Sequence, residues 1–128
     1  SQLSGGMKKR AAVARALAMD PDMLLFDEPS AGLDPIIAAG IDELILELKK
    51  VYAISIVVVT HELASAFLIA DRMLLIDRGH IIAIGAKEEI KASANPRVRQ
   101  FLDRVAEPQV ENELDYLQML TRDKKARS

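Results

Sequence analysis

The sequence contains no cysteine. Without thiols, neither a disulfide framework nor a thiolate metal site can form, and nothing calls for an oxidising compartment. Long apolar runs are also missing, because stretches such as Ile56–Val59 fall far below the roughly 20 residues that a membrane-spanning helix requires. No signal-peptide pattern opens the chain. We therefore expect no segment that crosses a bilayer, and a protein that works in a reducing compartment.

A large excess of charge of one sign is absent as well. The 17 basic and 19 acidic residues are interspersed and give a formal charge of −2, too weak a field to favour nucleic acid as a partner. The dense basic clusters at residues 8–10 and 124–127 are typical of a solvated helix face and a polar terminus. The 128 residues, half of them hydrophobic, can bury one core, so we expect one domain or a piece of one.

Hydrophobic spacing predicts alternating helices and strands. One helix begins at Ser4-Gly5-Gly6 and ends before Asp20-Pro21, and a long amphipathic helix follows from Pro35 to Tyr52. Continuous apolar runs at residues 23–26 and 54–59 predict strands that are buried on both faces, as in a parallel sheet. This rhythm predicts an α/β fold with parallel strands flanked by helices.

The second half of the sequence has a different pattern. Residues 72–77 and 80–84 predict a hairpin at a sheet edge, closed by Gly85. Short helices are expected at residues 87–93 and 96–104. After a break at Glu107-Pro108, a separate apolar stripe lies on an otherwise acidic segment, at Val110, Leu114, Leu117 and Leu120. Residues 95–128 are therefore predicted to be a C-terminal helical extension of a domain at residues 1–94.

The strongest candidate for chemistry is the sequence Leu25-Phe26-Asp27-Glu28-Pro29. A buried strand here delivers two adjacent carboxylates to its C-terminal end, the edge at which α/β sheets bind ligands. In a nucleotide hydrolase the first acid holds Mg²⁺, and the second polarises the water that attacks the γ-phosphate. Taken alone, the acidic pair is equally compatible with a cap of the following turn.

Three further motifs surround the acidic pair. Leu3-Ser4-Gly5-Gly6-Met7 stands upstream, Ser30-Ala31-Gly32-Leu33-Asp34 follows directly, and Thr60-His61-Glu62 lies downstream. In this order the four motifs resemble the signature loop, Walker B, D-loop and H-switch of the ATP-binding cassette (ABC) ATPases. The resemblance runs from Gln2 to about Gly85. It implies the C-terminal portion of a P-loop NTPase fold at residues 1–94, with ATP and Mg²⁺ as cofactors.

The signature loop also has a physical reading. Free N–H groups and the positive dipole end at a helix start favour a phosphate, and glycines let the backbone approach closely. An isolated Ser-Gly-Gly is more often an ordinary helix cap. The resemblance implies instead that the loop contacts the γ-phosphate held by the opposite subunit, through Leu3, Ser4, Gly5 and Gly6.

The resemblance also implies roles for His61, for the acidic pair and for the D-loop. His61 follows a strand, where a neutral imidazole can hydrogen-bond to the γ-phosphate and the attacking water, although a lone histidine there is more often structural. Glu28 and His61 are then the catalytic residues, and Asp27 holds the metal. The D-loop is expected at a dimer interface, through Ser30, Gly32, Leu33 and Asp34. Sequence alone predicts that Asp34 caps the helix at Pro35.

Half of the family's nucleotide site is missing from the sequence. We find no G-x-x-x-x-G-K-[ST] phosphate loop, no aromatic residue placed to stack on adenine, and no Q-loop. Gly85-Ala86-Lys87 fails both the spacing and the Ser/Thr requirement. We therefore expect this chain to be a fragment that neither binds nor hydrolyses ATP normally by itself.

The sequence Asn95–Asp103 resembles the tail of the ATPase subunits of Mla-type phospholipid transporters, also described as organic-solvent-resistance transporters. A plain amphipathic helix that packs Val98, Phe101, Leu102 and Val105 is equally compatible. The resemblance implies a homodimer on the cytoplasmic face of the inner membrane, beneath two permease subunits and with a small cytoplasmic accessory protein.

Two other classes of function remain open at this point. One is a soluble ABC ATPase that acts on DNA or ribosomes, and the other is a catalytically silent interaction module. A long coiled-coil insertion would favour the former, and the sequence shows none.

Overall fold

The computed structural model describes residues 4–104, so Leu3 and the apolar stripe at residues 110–120 lie outside the described residues. Helices and strands alternate as the sequence predicts. Their bounds are α1 (Gly5–Leu17), β1 (Met23–Asp27), α2 (Pro35–Val51), β2 (Ser55–Val59), α3 (Leu63–Ile69), β3 (Arg72–Asp77), β4 (His80–Ala86), α4 (Lys87–Lys91) and α5 (Pro96–Leu102). None of the helices in residues 4–104 is long and apolar enough to cross a membrane.

Side-chain caps fix where three of the helices begin. Ser4 accepts a hydrogen bond from the Met7 N–H at the start of α1, and Asn95 caps α5. Asp34 accepts hydrogen bonds from the N–H groups of Ile36 and Ile37, at 3.0 and 3.1 Å. The predicted cap ahead of Pro35 is therefore confirmed.

The strands form two separate two-stranded sheets within the described residues. β1 pairs with β2 in parallel, from Met23 opposite Ser55 to Asp27 opposite Val59. β3 and β4 form the predicted antiparallel hairpin, whose Arg78-Gly79 turn has positive φ at both residues, as a tight two-residue hairpin loop requires. The prediction that Gly85 closes this hairpin is wrong, because Gly85 lies inside β4.

The described chain buries two hydrophobic clusters. In the first, α2 and α3 pack against one face of the parallel sheet, and its most buried members are Ile41, Ile45 and Ile69. In the second, α4 and α5 cover the hairpin, through Leu75, Ile90 and Val98. Val98 is fully buried, as the amphipathic pattern of α5 predicts. Phe101, by contrast, is 37% exposed, and the Arg97 guanidinium lies over its ring at 5.4 Å.

The prediction that both strands of the parallel sheet are covered on both faces is wrong for residues 4–104. Leu25, Val57 and Val59 are 74%, 46% and 59% exposed. The cause is that α2 and α3 pack on the face shared by Phe26 and Val58, while alternate side chains of a strand point to the opposite face. No element of residues 4–104 covers that opposite face.

Two helical glycines test how tightly α1 and α2 pack. A Cβ added at Gly6 would lie 2.5 Å from Cγ2 of Ile37, whereas a Cβ at Gly40 would meet only the flexible guanidinium of Arg10 at 3.2 Å. We predict that Gly6→Ala lowers the free energy of unfolding by about 1–3 kcal/mol through overpacking. Gly40→Ala should leave it unchanged or raise it by up to about 1 kcal/mol, because alanine is the better helix former.

Urea denaturation of the two variants and the wild type measures both effects. Equal midpoints for Gly6→Ala and the wild type would show that α1 does not pack against Ile37 as described.

Candidate functional site

The register of the parallel sheet brings the acidic pair Asp27-Glu28 and the motif Thr60-His61-Glu62 to one edge. Asp27 is the last residue of β1 and lies opposite Val59, the last residue of β2. Glu28 and Thr60 therefore leave the sheet side by side, at the carboxyl end of both strands. The Glu28 N–H extends the pairing by one step, since it donates to the carbonyl of Val59 at 2.8 Å.

The Glu28 carboxylate is held by the segment that follows β2. Its Oε1 lies 2.8 Å from Nδ1 of His61 and accepts a second hydrogen bond from the His61 backbone N–H at 3.1 Å. Its Oε2 accepts from the Thr60 hydroxyl at a longer 3.4 Å. Because a carboxylate only accepts at neutral pH, Nδ1 carries the proton and Nε2 lies on the other side of the ring. The imidazole side chain is 74% exposed, and its Nε2 lies 3.5 Å from Oε1 of Glu62.

Each member of the pair changes the pKa of the other. The hydrogen bond from the imidazole, helped by its charge and by the His61 N–H, holds the pKa of Glu28 below its ordinary value of 4.5 despite partial burial. The hydrogen bond and the charge of Glu28 raise the pKa of His61 above its ordinary value of 6.5, with a smaller contribution from Glu62. The site therefore favours an ionised glutamate beside a protonated imidazole.

These two shifts set the pH range in which the pair stabilises the fold. The contribution of His61 is fully present below pH 6.5 and is lost as the pH rises through its raised pKa. The contribution of Glu28 is present above pH 4.5 and is lost as the pH falls through its lowered pKa. The stabilisation is thus greatest between these two values.

The backbone of Glu28 is held in an unusual conformation. Its φ of +46° lies in the left-handed region, which non-glycine residues rarely adopt. The Glu28 carbonyl accepts hydrogen bonds from the Ala31 N–H at 3.1 Å and from Nζ of Lys9 at 3.2 Å. Strained residues of this kind concentrate at functional sites, where the surrounding contacts hold them.

Lys9 is a site residue that the sequence reading missed. The basic cluster at residues 8–10 is predicted to be a solvated face, but Lys9 contacts Glu28, and Nη2 of Arg10 donates to the carbonyl of Gly40 at 3.3 Å. The two side chains therefore tie α1 to the acidic strand end and to α2. The only sequence signal was three successive basic residues on a helix that starts at a glycine pair.

The signature loop and the D-loop touch each other within this one chain. A Cβ at Gly5 would lie 2.9 Å from Cδ2 of Leu33, so the glycine is needed for this close approach. Gly32 has a φ of +73°, and Ser30 is 8% exposed. Ser4 and Gly5 themselves remain exposed at the start of α1. A helix start with free N–H groups is thus accessible beside the D-loop.

Asp27 is the one predicted metal ligand. It is exposed at the end of β1, and residues 4–104 contain no group of three or more acidic, histidine or cysteine side chains that could hold a metal. Mg²⁺ is commonly bound by one or two carboxylates together with water and substrate phosphates. The single carboxylate of Asp27 fits an ion that arrives with a nucleotide, and does not form a dedicated metal site.

Comparison with known proteins agrees with this arrangement. A family model described as ABC transporter matches residues 1–31. The intermembrane phospholipid transport system ATP-binding protein MlaF of Escherichia coli K12 is 44% identical over 107 residues, which are 84% of this chain and 40% of MlaF. The L-cystine import ATP-binding protein TcyN of Bacillus subtilis is 47% identical over 107 residues, which are 83% of this chain and 41% of TcyN.

Comparison of the fold with solved structures gives the same result. A solved nucleotide-free ATP-binding cassette from an ABC transporter matches with a TM-score of 0.70 and 34% identity, over 83% of this chain and 42% of that one. The architecture is therefore that of an ABC ATPase, a mixed α/β P-loop NTPase fold. In sequence and in fold the chain is similar to the ATP-binding proteins of ABC transporters. It spans about two-fifths of the length of the relatives MlaF and TcyN.

Titration of His61 tests the geometry of the site without nucleotide. We predict that the NMR titration midpoint of the His61 imidazole lies above 6.5 and that Glu28→Gln lowers it towards 6.5, because the charged acceptor is lost. Glu62→Gln serves as the matched control and should lower the midpoint less, since Glu62 acts only through its charge at a longer distance. A midpoint that Glu28→Gln leaves unchanged would contradict the hydrogen bond between the two side chains.

Proposed function

We propose that this chain contributes half of the nucleotide site of an ABC-type ATPase that powers a membrane transporter. The observation that carries the proposal is the contact between Glu28 and His61, at the carboxyl edge of a parallel sheet and next to Asp27. Ligands of open α/β sheets bind at this edge. An acid, a histidine and a metal-binding carboxylate at one edge are the groups that phosphoryl transfer to water requires.

In this proposal Glu28 activates the attacking water. Its Oε1 is occupied by two hydrogen bonds from His61, whereas Oε2 receives only the long contact from Thr60 among the described residues. Oε2 therefore retains the capacity to accept a hydrogen bond from water. A general base must be ionised, and the hydrogen bonds from His61 favour the ionised form of this carboxylate.

His61 would act through its other nitrogen. Because Nδ1 is engaged by Glu28, Nε2 is the atom left to reach the γ-phosphate, and the Glu62 carboxylate, now 3.5 Å from it, would have to turn away. The raised pKa favours the protonated imidazole, and only this form can donate its Nε2–H to a phosphoryl oxygen and stabilise the charge that develops there. Mg²⁺, bound through Asp27, would neutralise phosphate charge in the same place.

The signature loop would act on a second nucleotide. In the family this loop faces the γ-phosphate held by the opposite subunit, and here the exposed helix start at Ser4 and Gly5 has free N–H groups for that purpose. The D-loop, at Ser30–Asp34, lies against it and would share the same dimer interface. We therefore propose a homodimer, with the phosphate loop supplied by residues outside this sequence. That the chain alone does not turn over ATP stays a prediction.

For the transported molecule, we propose phospholipid or another hydrophobic compound. The names of MlaF and TcyN refer to phospholipid and to L-cystine, and the identities of 44% and 47% do not separate them. The support is the resemblance of the tail at residues 95–103 to the tail of Mla-type ATPase subunits. This tail contains the capped helix α5. The partners would then be permease subunits and a small accessory protein, at the cytoplasmic face of the inner membrane.

The direct test is hydrolysis by the complete cassette with its permease. We predict that Glu28→Gln lowers the ATP turnover number about a hundredfold or more while ATP binding survives, because an amide cannot take a proton from water. Glu43→Gln, an exposed glutamate of α2, is the matched control and should leave turnover unchanged. Equal turnover for Glu28→Gln and the wild type would contradict this mechanism, whereas a wild-type cassette without any turnover would favour a catalytically silent interaction module.

A further inference from the structure

A buried carboxylate lies outside the site described above. Asp42 of α2 is 5% exposed and directly follows Ile41, a residue of the core under the parallel sheet. Its Oδ2 accepts a short hydrogen bond from the Ser65 hydroxyl of α3, at 2.6 Å. Its Oδ1 is buried and has no hydrogen-bond partner among the described residues.

Stability alone does not explain this arrangement. Burying a carboxylate is costly, and an oxygen without a donor adds the full cost of its lost hydration. Replacing a buried polar pair by apolar groups is often neutral or stabilising. The Asp42–Ser65 pair therefore points to a contribution other than the free energy of folding.

The place of Ser65 suggests what that contribution is. Ser65 is the third residue of α3, and only Glu62 separates His61 from the first residue of that helix. α3 has seven residues, and Glu62 provides no side-chain cap for it. So short a helix is not stable by itself and depends on its tertiary contacts for its position.

Two polar contacts hold α3 against α2, one near each end. At the C-terminal end, Nζ of Lys49 donates to the carbonyl of Ile69 at 3.1 Å and pairs with Asp71 at 2.7 Å. In the first turn, the polar contact is the hydrogen bond between Ser65 and Asp42. This bond is the nearer of the two to His61 along the chain.

We propose that the Asp42–Ser65 hydrogen bond is a positioning contact, which fixes the first turn of α3 and thereby keeps His61 in contact with Glu28. The inference rests on the proposed function, because it names residues that prepare the same site. α2 begins directly after its cap, Asp34 of the D-loop. The Asp42–Ser65 contact therefore also connects the D-loop, through α2, with α3. Asp42 and Ser65 touch no reacting atom and act only through His61.

The test removes both partners together. In the complete cassette, Asp42→Ala combined with Ser65→Ala leaves no unpaired carboxylate, so the thermal midpoint should stay close to that of the wild type. We expect the turnover number to fall about tenfold or more, because a small displacement of a catalytic group is costly, with the KM for ATP changed less than twofold. Asp42→Asn keeps the acceptor for Ser65 and should retain most of the turnover.

A second measurement follows the position of His61 directly. The His61 amide hydrogen is bonded to Glu28, so its exchange with solvent should be faster in the double variant, while amides in the hairpin β3–β4 exchange as in the wild type. Asp103→Asn, which breaks an exposed pair with Arg99 on α5, is the control and should change neither turnover nor exchange at His61.

In a cassette that Glu28→Gln inactivates, three outcomes would overturn the proposal: an unchanged turnover number, a loss of turnover no larger than the loss of folded protein accounts for, or unchanged exchange at His61. The amide exchange needs no ATP hydrolysis. Faster exchange at His61 in a cassette whose turnover is insensitive to Glu28→Gln would therefore reject the proposed function while keeping the positioning contact.

Discussion

The parallel pairing of β1 with β2 is the constraint on which the rest of the site depends. Because Asp27 lies opposite Val59, the residues that follow the two strands leave the sheet at one edge. Glu28 and His61 are 33 positions apart in sequence, and this register makes them neighbours at 2.8 Å. A slip of one residue would turn the alternating side chains of β2 to the opposite face and separate the pair.

Helix α2 packs against one face of the parallel sheet and supports the edge at which Glu28 and Thr60 leave it. It begins at the D-loop with the cap from Asp34, packs Ile41 and Ile45 under both strands, and meets α3 through Asp42. Helix α1, which follows the signature loop, contacts the same edge of the sheet through Lys9, whose Nζ donates to the carbonyl of Glu28. Four motifs that are separate in sequence are thus joined by direct contacts between neighbouring elements.

Local signals made much of the fold predictable. Caps at Ser4 and Asp34, prolines in first turns and apolar periodicity located these helices to within a few residues, because such signals depend on neighbours in sequence. The exposed sheet face was not predicted, since a continuous apolar run does not reveal which elements cover it. The contacts of Glu28 with His61, of Lys9 with Glu28 and of Asp42 with Ser65 were also missed. They join residues 19 to 33 positions apart, and only the strand register and helix packing determine them.

We propose that Glu28 and His61 form one side of a composite nucleotide site. A crystal structure of the complete cassette carrying Glu28→Gln, with ATP and Mg²⁺ bound, tests this arrangement. We expect a dimer in which Asp27 and His61 of one copy and the Ser4–Gly6 loop of the other approach the same γ-phosphate. A nucleotide bound away from the carboxyl edge of β1 and β2, or a γ-phosphate that neither His61 nor the loop contacts, would contradict it.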